Sequence, residues 1–422
     1  MTKLLIISDD FTGALDTGVK FSSAGARTKV CTDTETDFTA AIPEEVLVLC
    51  APTRHLPAQE AYDIIRRIVA RAAAANIDCI YKKTDSALRG NIGAELSAVL
   101  DGSGKKTLCF IPALPGMNRT TVGGIHYIDG VPVHRSVFGQ DPFEPVRESN
   151  VPDLLHLQSS VPVTVVSREE AASFRPGGEA CIYLFDCASR EDMEMEVRTL
   201  YRQRCLNLLA GCAGLAECLP AYLGLTNSGK SAGQPTSDRL MVVCGSVNPI
   251  SCSQMDYGEQ RGYQRVHIPA DRLLSDSDFS TGSDAMMMDY LWTLYNQFPY
   301  LMIDSLQIGE DRVLESTPEM SLEDIRQKVS CQMGRILKAL LDRGADSRIM
   351  IIGGDTLLAF METIGCRELT PVCELQPGVV LSRIVYRGKE HEIISKSGGF
   401  GNEDLLITLL SETEREKQPA IS

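Results

Sequence analysis

The sequence predicts an α/β protein of two domains, each with a largely parallel sheet flanked by helices. Three observations carry that prediction. Short apolar runs alternate with helical patterns along both halves of the chain. Several of these runs end in clusters of polar or glycine residues, the pattern found at the ligand-binding edge of an open sheet. Residues 227–238 (NSGKSAGQPTSD) are rich in Gly, Ser and Pro with Ala232 as the sole apolar member, the composition of a linker. The expected division is residues 1–226, a linker at 227–238, and residues 239–422, with the active site in the interdomain cleft. The length of 422 residues allows two or three domains.

In chain order, Lys3–Ser8 reads as a strand ending in Asp9-Asp10, followed by a helix from Gly13 to Ala24 with Gly25 as its stop. Thr28–Thr32 and Val46–Ala51 are the next strands. Ala58–Asn76 is a helix with Ala61, Ile64, Ile65, Ile68, Val69 and Ala72 on one side. Asp78–Lys82, Thr107–Pro112 and Cys181–Asp186 complete the strands of the first half. In the second half, strands are expected at Arg239–Val243, Arg265–Ile268, Tyr300–Asp304 and Arg348–Ile352, with helices at Asp284–Gln297 and Leu322–Leu341. Val379–Tyr386 and His391–Ser395 form a hairpin across Arg387-Gly388-Lys389.

Composition removes several functions. With 41 Lys+Arg against 56 Asp+Glu, the net charge of −15 excludes a general nucleic-acid binder and attachment to anionic lipid. Apolar content of 44% and charged content of 23% are those of a folded globular protein. The four apolar residues Leu4 to Ile7 are too few for a signal peptide, and no run approaches a membrane span. The 14 cysteines are scattered without a C-x-x-C pair, which fits free, mostly buried thiols in a reducing cytoplasm.

Gly224 to Ser231 matches the phosphate loop G-x-x-x-x-G-K-[ST]. Its preceding segment is short and broken by Pro220, and Ala232–Asp238 is unsuited to the helix that such a loop requires. A chance match in a linker is the better explanation.

Four strand ends are more informative. Asp9-Asp10-Phe11-Thr12-Gly13 offers two carboxylates that can orient a hydroxyl or accept its proton, unless one merely caps the helix. Lys82-Lys83-Thr84-Asp85-Ser86, with Arg89 beyond, suits a small anionic, hydroxylated ligand, the alternative being a solvated charged turn. Pro112 to Thr121 brings Asn118 and Arg119, and Thr53-Arg54-His55 adds a guanidinium at the same edge. In the second half, Gly245-Ser246 follows a strand, while Gly353-Gly354-Asp355-Thr356 and Lys396 to Asn402 form glycine turns that lead into helices. Backbone N–H groups there can face a phosphate, although one such turn alone is an ordinary helix entry.

Asp9 to Ala14, Lys82 to Asn91 and Pro112 to Gly124 resemble the N-terminal domain of the four-carbon acid sugar kinases. Gly245-Ser246, Gly353 to Thr356 and Lys396 to Gly401 resemble that family's nucleotide-binding C-terminal domain. The resemblance spans nearly the whole chain, with the motifs in the family's order. It implies ATP-dependent phosphorylation of threonate, erythronate or an oxo-tetronate at its terminal hydroxyl, with Mg²⁺ bridging the ATP phosphates.

It also implies a sugar-acid-binding domain at 1–226 and a nucleotide-binding domain at 239–422. Asp9 or Asp10 would be the catalytic carboxylate. The substrate would meet Asp9, Arg54, Lys82, Lys83, Thr84 and Asp85, to which the strand-end reading adds Arg89, Asn118 and Arg119. ATP would meet Ser246, Gly353, Gly354, Asp355, Thr356 and Gly399, to which the same reading adds Gly398. The partners expected are the sugar acid and ATP, without nucleic acid or membrane, and a homodimer is an open assembly state.

Asp355 stands where the family often has Glu, and residues 271–288 match no family motif, the methionines at 286–288 reading as buried packing. A dehydrogenase is disfavoured by the lack of G-x-G-x-x-G after the first strand. A non-catalytic sugar-acid sensor is disfavoured because it gains nothing from paired carboxylates. Replacing Lys230 by Ala is expected to leave ATP affinity unchanged in a titration; a large loss would restore the linker motif as a phosphate loop.

Overall fold

The structure, a computed structural model, describes residues 2–40, 42–141, 144–227, 237–276, 279, 282–305 and 320–416. The phosphate-loop match runs into 228–236, so half of it, 228–231, lies outside the described residues. The chain divides into two units, Met1–Lys230 and Ser231–Ser422.

The first unit begins β1 (Leu4–Ser8), α1 (Phe11–Ser23), β2 (Thr28–Cys31), β3 (Val46–Cys50), α2 (Ala58–Ala74), β4 (Cys79–Lys83), α3 (Ile92–Ser103) and β5 (Thr107–Ile111). It continues through β6 (Arg119–Val122), β7 (Ile125–Ile128), β8 (Val131–Pro132), α4 (Val151–His156), β9 (Val163–Val166), α5 (Arg168–Ala171), β10 (Cys181–Phe185), α6 (Arg190–Arg202), β11 (Leu208–Gly211) and α7 (Ala213–Cys218). β1, β3, β4 and β10 are buried at every position, which is why they read as unbroken runs with no alternation. α2 buries Ala61, Ile65, Ile68, Val69 and Ala72, a stripe at helical spacing.

The main sheet runs β9-β10-β5-β11-β4-β1-β3-β2, with every neighbouring pair parallel. After β1 the chain lays β2 and β3 on one side and then crosses to β4 on the other. β1 is therefore the switch point, where open sheets leave a ligand crevice. Register pairs Ser8 with both Cys50 and Lys83, and Gly211 with Lys83 and Ile111. The segments after β1, β3, β4 and β5 thus leave the sheet along one edge.

The small antiparallel sheet β6-β7-β8 is tied to that edge by His126. Its ring bonds the Ser86 carbonyl oxygen at 2.9 Å and the Thr121 hydroxyl at 3.1 Å.

The second unit contains β12 (Leu240–Cys244), α8 (Pro249–Gln260), β13 (Gln264–His267), α9 (Ala270–Leu273), α10 (Gly282–Gln297), β14 (Tyr300–Asp304) and α11 (Leu322–Asp342). β15 (Arg348–Ile352), α12 (Gly354–Thr363), β16 (Glu368–Gln376), β17 (Val379–Tyr386), β18 (Lys389–Lys396) and α13 (Leu405–Glu416) follow. Its order is β13-β14-β12-β15-β18-β17-β16, parallel as far as β18 and antiparallel beyond. The β17–β18 hairpin turns on Arg387 (φ +50°) and Gly388 (φ +77°), the mirror-image turn whose twist matches its strands. Cys244 pairs with Asp304 and Ile352, and Ile352 with Lys396, so Gly245, Ser305, Gly353 and Ser397 also share an edge.

One packing expectation is corrected. Of the three consecutive methionines only Met288 is buried, while Met286 is 72% exposed. α10 turns about 100° per residue, so three neighbours cannot share its inward face. All fourteen thiols are free and most are buried. Among the described residues no helix is long and apolar enough to cross a membrane.

Burial holds His126 down at about 4, against an ordinary 6.5. A histidine with a depressed folded value stabilises fully above pH 6.5 and loses that contribution as pH falls toward 4, on the order of 3 kcal/mol in all. Denaturant melts across this window should show that slope, and His126→Asn should flatten it.

Candidate active site

Asp9 and Asp10 follow β1 and do different things. Asp10 caps α1, its Oδ1 accepting from the Gly13 N–H at 2.9 Å, while its Oδ2 pairs with Arg54 at 3.0 Å. Capping is thus one real role of the pair. Asp9 is 2% exposed; its Oδ2 accepts from Arg54 Nε at 2.7 Å, and its Oδ1 is buried without a hydrogen-bond partner among the described residues.

Arg54 faces a third carboxylate, Asp85, at 3.7 Å. Asp85 receives both Nε and NH2 of Arg89, at 2.8 and 3.1 Å. Burial pushes the Asp9 carboxyl up, but Arg54, Lys82 and Lys83 outweigh it and hold the group below the usual carboxylate range. Burial likewise raises Asp85, and Arg89 and Arg54 bring it well below.

The two lysines at the end of β4 also divide. Lys82 is wholly buried, its ammonium ion-paired with Glu95 Oε2 at 3.0 Å and donating to the Lys83 carbonyl at 2.8 Å. Two of its three N–H donors are thus engaged inside the fold, and it acts on Asp9 through charge. Lys83 Nζ lies over the first turn of α1, where it and Asp10 fill the space a side chain at Gly13 would need. Thr84 beside it has a buried hydroxyl without a partner.

Arg119 donates to Ser86 Oγ, and Arg89 and Arg119 flank the Phe138 ring at 5.1 and 5.2 Å. Among the described residues neither Lys83 nor Arg119 is paired with a carboxylate. Asn118 is exposed in a left-handed turn, φ +51°, and none of these bonds reaches it.

Glu95 and Gln158 escaped the reading of the sequence, and Asn91 entered it only as the end of a motif. Glu95 is a fully buried carboxylate on α3 that also accepts from Thr53 Oγ1. Its signal was present: one acidic residue inside the apolar run Ile92–Leu100. Asn91 Nδ2 donates to the carbonyls of Thr53 (2.9 Å) and Leu56 (2.8 Å), fixing the loop that carries Arg54, and Gln158 Nε2 holds Asn91 Oδ1 at 3.2 Å.

In the second unit, Gly245, Gly353 and Gly398 line a bare backbone edge. A Cβ on Gly245 would collide with Thr356 Oγ1, and one on Gly398 with Ser246 Oγ. Gly353 has φ +117°, a conformation that excludes side chains, and it precedes α12 without a capping side chain. The first amides of α12, at Gly354, Asp355 and Thr356, therefore meet no side-chain cap, an arrangement that receives anions.

Gln254 Nε2 holds the carbonyls of Phe400 and Asn402 at 3.0 and 2.8 Å, securing the turn around Gly399. Gly399 is exposed, and Asp355 is 59% exposed, 3.5 Å from Arg326. Among the described residues no three His, Cys, Asp or Glu side chains are grouped to hold a metal ion.

Comparison with known proteins matches residues 4–219 to the family model of a sugar-binding N-terminal domain and residues 241–406 to that of a nucleotide-binding C-terminal domain. The chain belongs to the four-carbon acid sugar kinase family. It is 27% identical over 424 residues to the D-threonate kinase of Salmonella typhimurium, covering 97% of each chain. It is 25% identical over 461 residues to the D-erythronate kinase of Heliobacterium modesticaldum, covering 100% of each. With the 3-oxo-tetronate kinase of Methylobacterium radiotolerans it shares 25% over 419 residues, 94% of this chain and 96% of the relative.

Two solved structures share the fold. A Salmonella typhimurium LT2 protein has a TM-score of 0.80 at 22% identity, covering 99% of this chain and 100% of that one. Haemophilus influenzae HI1011 has 0.72 at 18%, covering 98% and 99%. In this four-carbon acid sugar kinase the Arg54 cluster lies in the sugar-binding domain and the glycine-lined edge in the nucleotide-binding domain.

Gly245→Ala should lower ATP affinity roughly tenfold in equilibrium titration while leaving sugar-acid binding nearly unchanged, because its methyl group displaces the buried Thr356 beside the glycine edge.

Proposed function

We propose that this protein transfers the γ-phosphoryl group of ATP to the terminal hydroxyl of a four-carbon sugar acid, D-threonate or D-erythronate being favoured, to give the 4-phosphate and ADP. The observation that carries this reading is Asp9: a buried carboxylate, fixed through one oxygen by Arg54, whose other oxygen has no partner. Lys83 and Arg119 stand in the same cluster without carboxylates of their own. An acceptor for a hydroxyl beside two cations fits a ligand that carries both a hydroxyl and a carboxylate. The names of the relatives support the choice of four-carbon acid.

The chemistry asks more for placement than for a strong base. Phosphoryl transfer passes through a loose transition state in which the nucleophile bears little charge. Asp9, held low by its cations, orients the hydroxyl and takes its proton late, as the oxygen–phosphorus bond forms and the bond to ADP breaks. Asp10 is committed to α1 and Arg54, which leaves Asp9 as the acceptor. Arg54, Arg89 and Asp85 hold the loops in register, while Lys83 and Arg119 take the substrate's carboxylate.

The turns at Ser246, Gly353 to Thr356 and Gly398-Gly399 take the ATP phosphates. Mg²⁺ needs only one or two protein oxygens when ATP supplies others, and Asp355, exposed at the first turn of α12, fits that role. Bound there, the ion would supply charge neutralisation of the phosphates.

An ADP-release assay across D- and L-threonate, D- and L-erythronate and the 2- and 3-oxo-tetronates tests the reading. Turnover is expected with D-threonate or D-erythronate, and silence across the panel would overturn it. Asp9→Asn should lower kcat by roughly 10²–10⁴-fold with KM for ATP little changed. Normal turnover in that variant would remove Asp9 as the acceptor.

A further inference from the structure

Lys396 ends β18 beneath the glycine turn of the second unit and is 2% exposed. Its ammonium donates to Gly398 O at 3.1 Å and to Ser251 Oγ at 3.3 Å, and among the described residues it is paired with no carboxylate. This contrasts with Lys82, which is equally buried but matched by Glu95. A buried ammonium without an anion is unfavourable, so its retention calls for an anion that completes it.

Among the described residues the surrounding elements offer none. β15 and β17 place Ile352 and Val379 opposite Lys396, and α8 contributes Ser251. β12 contributes the thiol of Cys244. Asp304, at the end of β14 beside Cys244, is already bonded to Arg265 and His267.

The hydrogen bonds lead from this cation to the glycine edge. Ser251 Oγ, which accepts from Lys396, lies 2.8 Å from Gly398 O and 3.4 Å from Ser246 Oγ. Ser246 Oγ also accepts from the Asn248 N–H at 3.3 Å, which leaves its own hydrogen for a ligand. We propose that Lys396 is the buried counter-ion of the nucleotide phosphates and the positioning residue for Ser246, acting through Ser251 and the Gly398 carbonyl. The inference rests on the kinase reading and adds to it a buried cation beneath the phosphate site. Burial holds the ammonium down at about 8, against an ordinary 10.5, so an arriving phosphate should raise its affinity for a proton.

The test is calorimetric titration of ATP at pH 8.5, without sugar acid, in two buffers of different protonation enthalpy. Held down by burial, the ammonium is partly uncharged at this pH, and pairing with phosphate should draw in a fraction of a proton per ATP bound. Lys396→Met should bind ATP roughly 10- to 100-fold more weakly and take up no proton. Its sugar-acid affinity should be unchanged. Ser251→Ala should lose part of the affinity and keep the uptake.

ATP binding by the wild type without proton uptake, or full affinity in Lys396→Met, overturns the proposal and leaves the kinase reading standing. A wild type that binds no ATP overturns both. If Lys396→Met does not fold, the wild-type proton count and Ser251→Ala decide the matter alone.

Discussion

The site in the first unit depends on one guanidinium. Arg54 gathers Asp9, Asp10 and Asp85, carboxylates from the loops after β1 and β4, onto a side chain from the loop after β3. Three carboxylates this close would repel one another and rise in pKa without it. With it, Asp9 stays ionised although it is buried. The arrangement costs desolvation, which the charge-assisted bonds and the second pair, Lys82 with Glu95, offset. Asn91 and Gln158 then hold the Arg54 loop by its carbonyls, so its position is set by backbone bonds as well as by charge.

The second unit meets an anion by different means. Its cradle consists largely of backbone, and it works because Gly245, Gly353 and Gly398 have no side chain to block it. Amide groups carry no formal charge and cost little to leave facing solvent. A protein with a net charge of −15 can thus hold polyanions where cations and open N–H groups are concentrated, while its remaining surface stays acidic.

Much of the fold was legible because the strands of a parallel sheet are buried on both faces and read as apolar runs. Tyr300–Asp304, Arg348–Ile352 and Val379–Tyr386 have the bounds expected from sequence. β16 escaped because Pro371 interrupts it and its register shifts twice, so its residues show neither alternation nor an unbroken run. β9 and β11 are four-residue strands, too short to show a period. Glu95 was visible only as an oddity, since a lone carboxylate in an apolar helix does not name its partner.

By itself, the sequence determined the class of fold, the order of its elements, the family motifs and the edge of each sheet from which the polar residues emerge. These follow from local pattern, and a strand's last residues leave the sheet wherever the strand ends. Only the tertiary structure decided which charges are spent and which remain. Lys82 and Lys83 are adjacent in the chain, yet successive residues of a strand point to opposite faces. One ammonium is consequently consumed by Glu95, and the other stands beside Asp10. Pairing is set by distances between segments far apart in sequence, such as Asp9 and Arg54, and strand register alone brings those together.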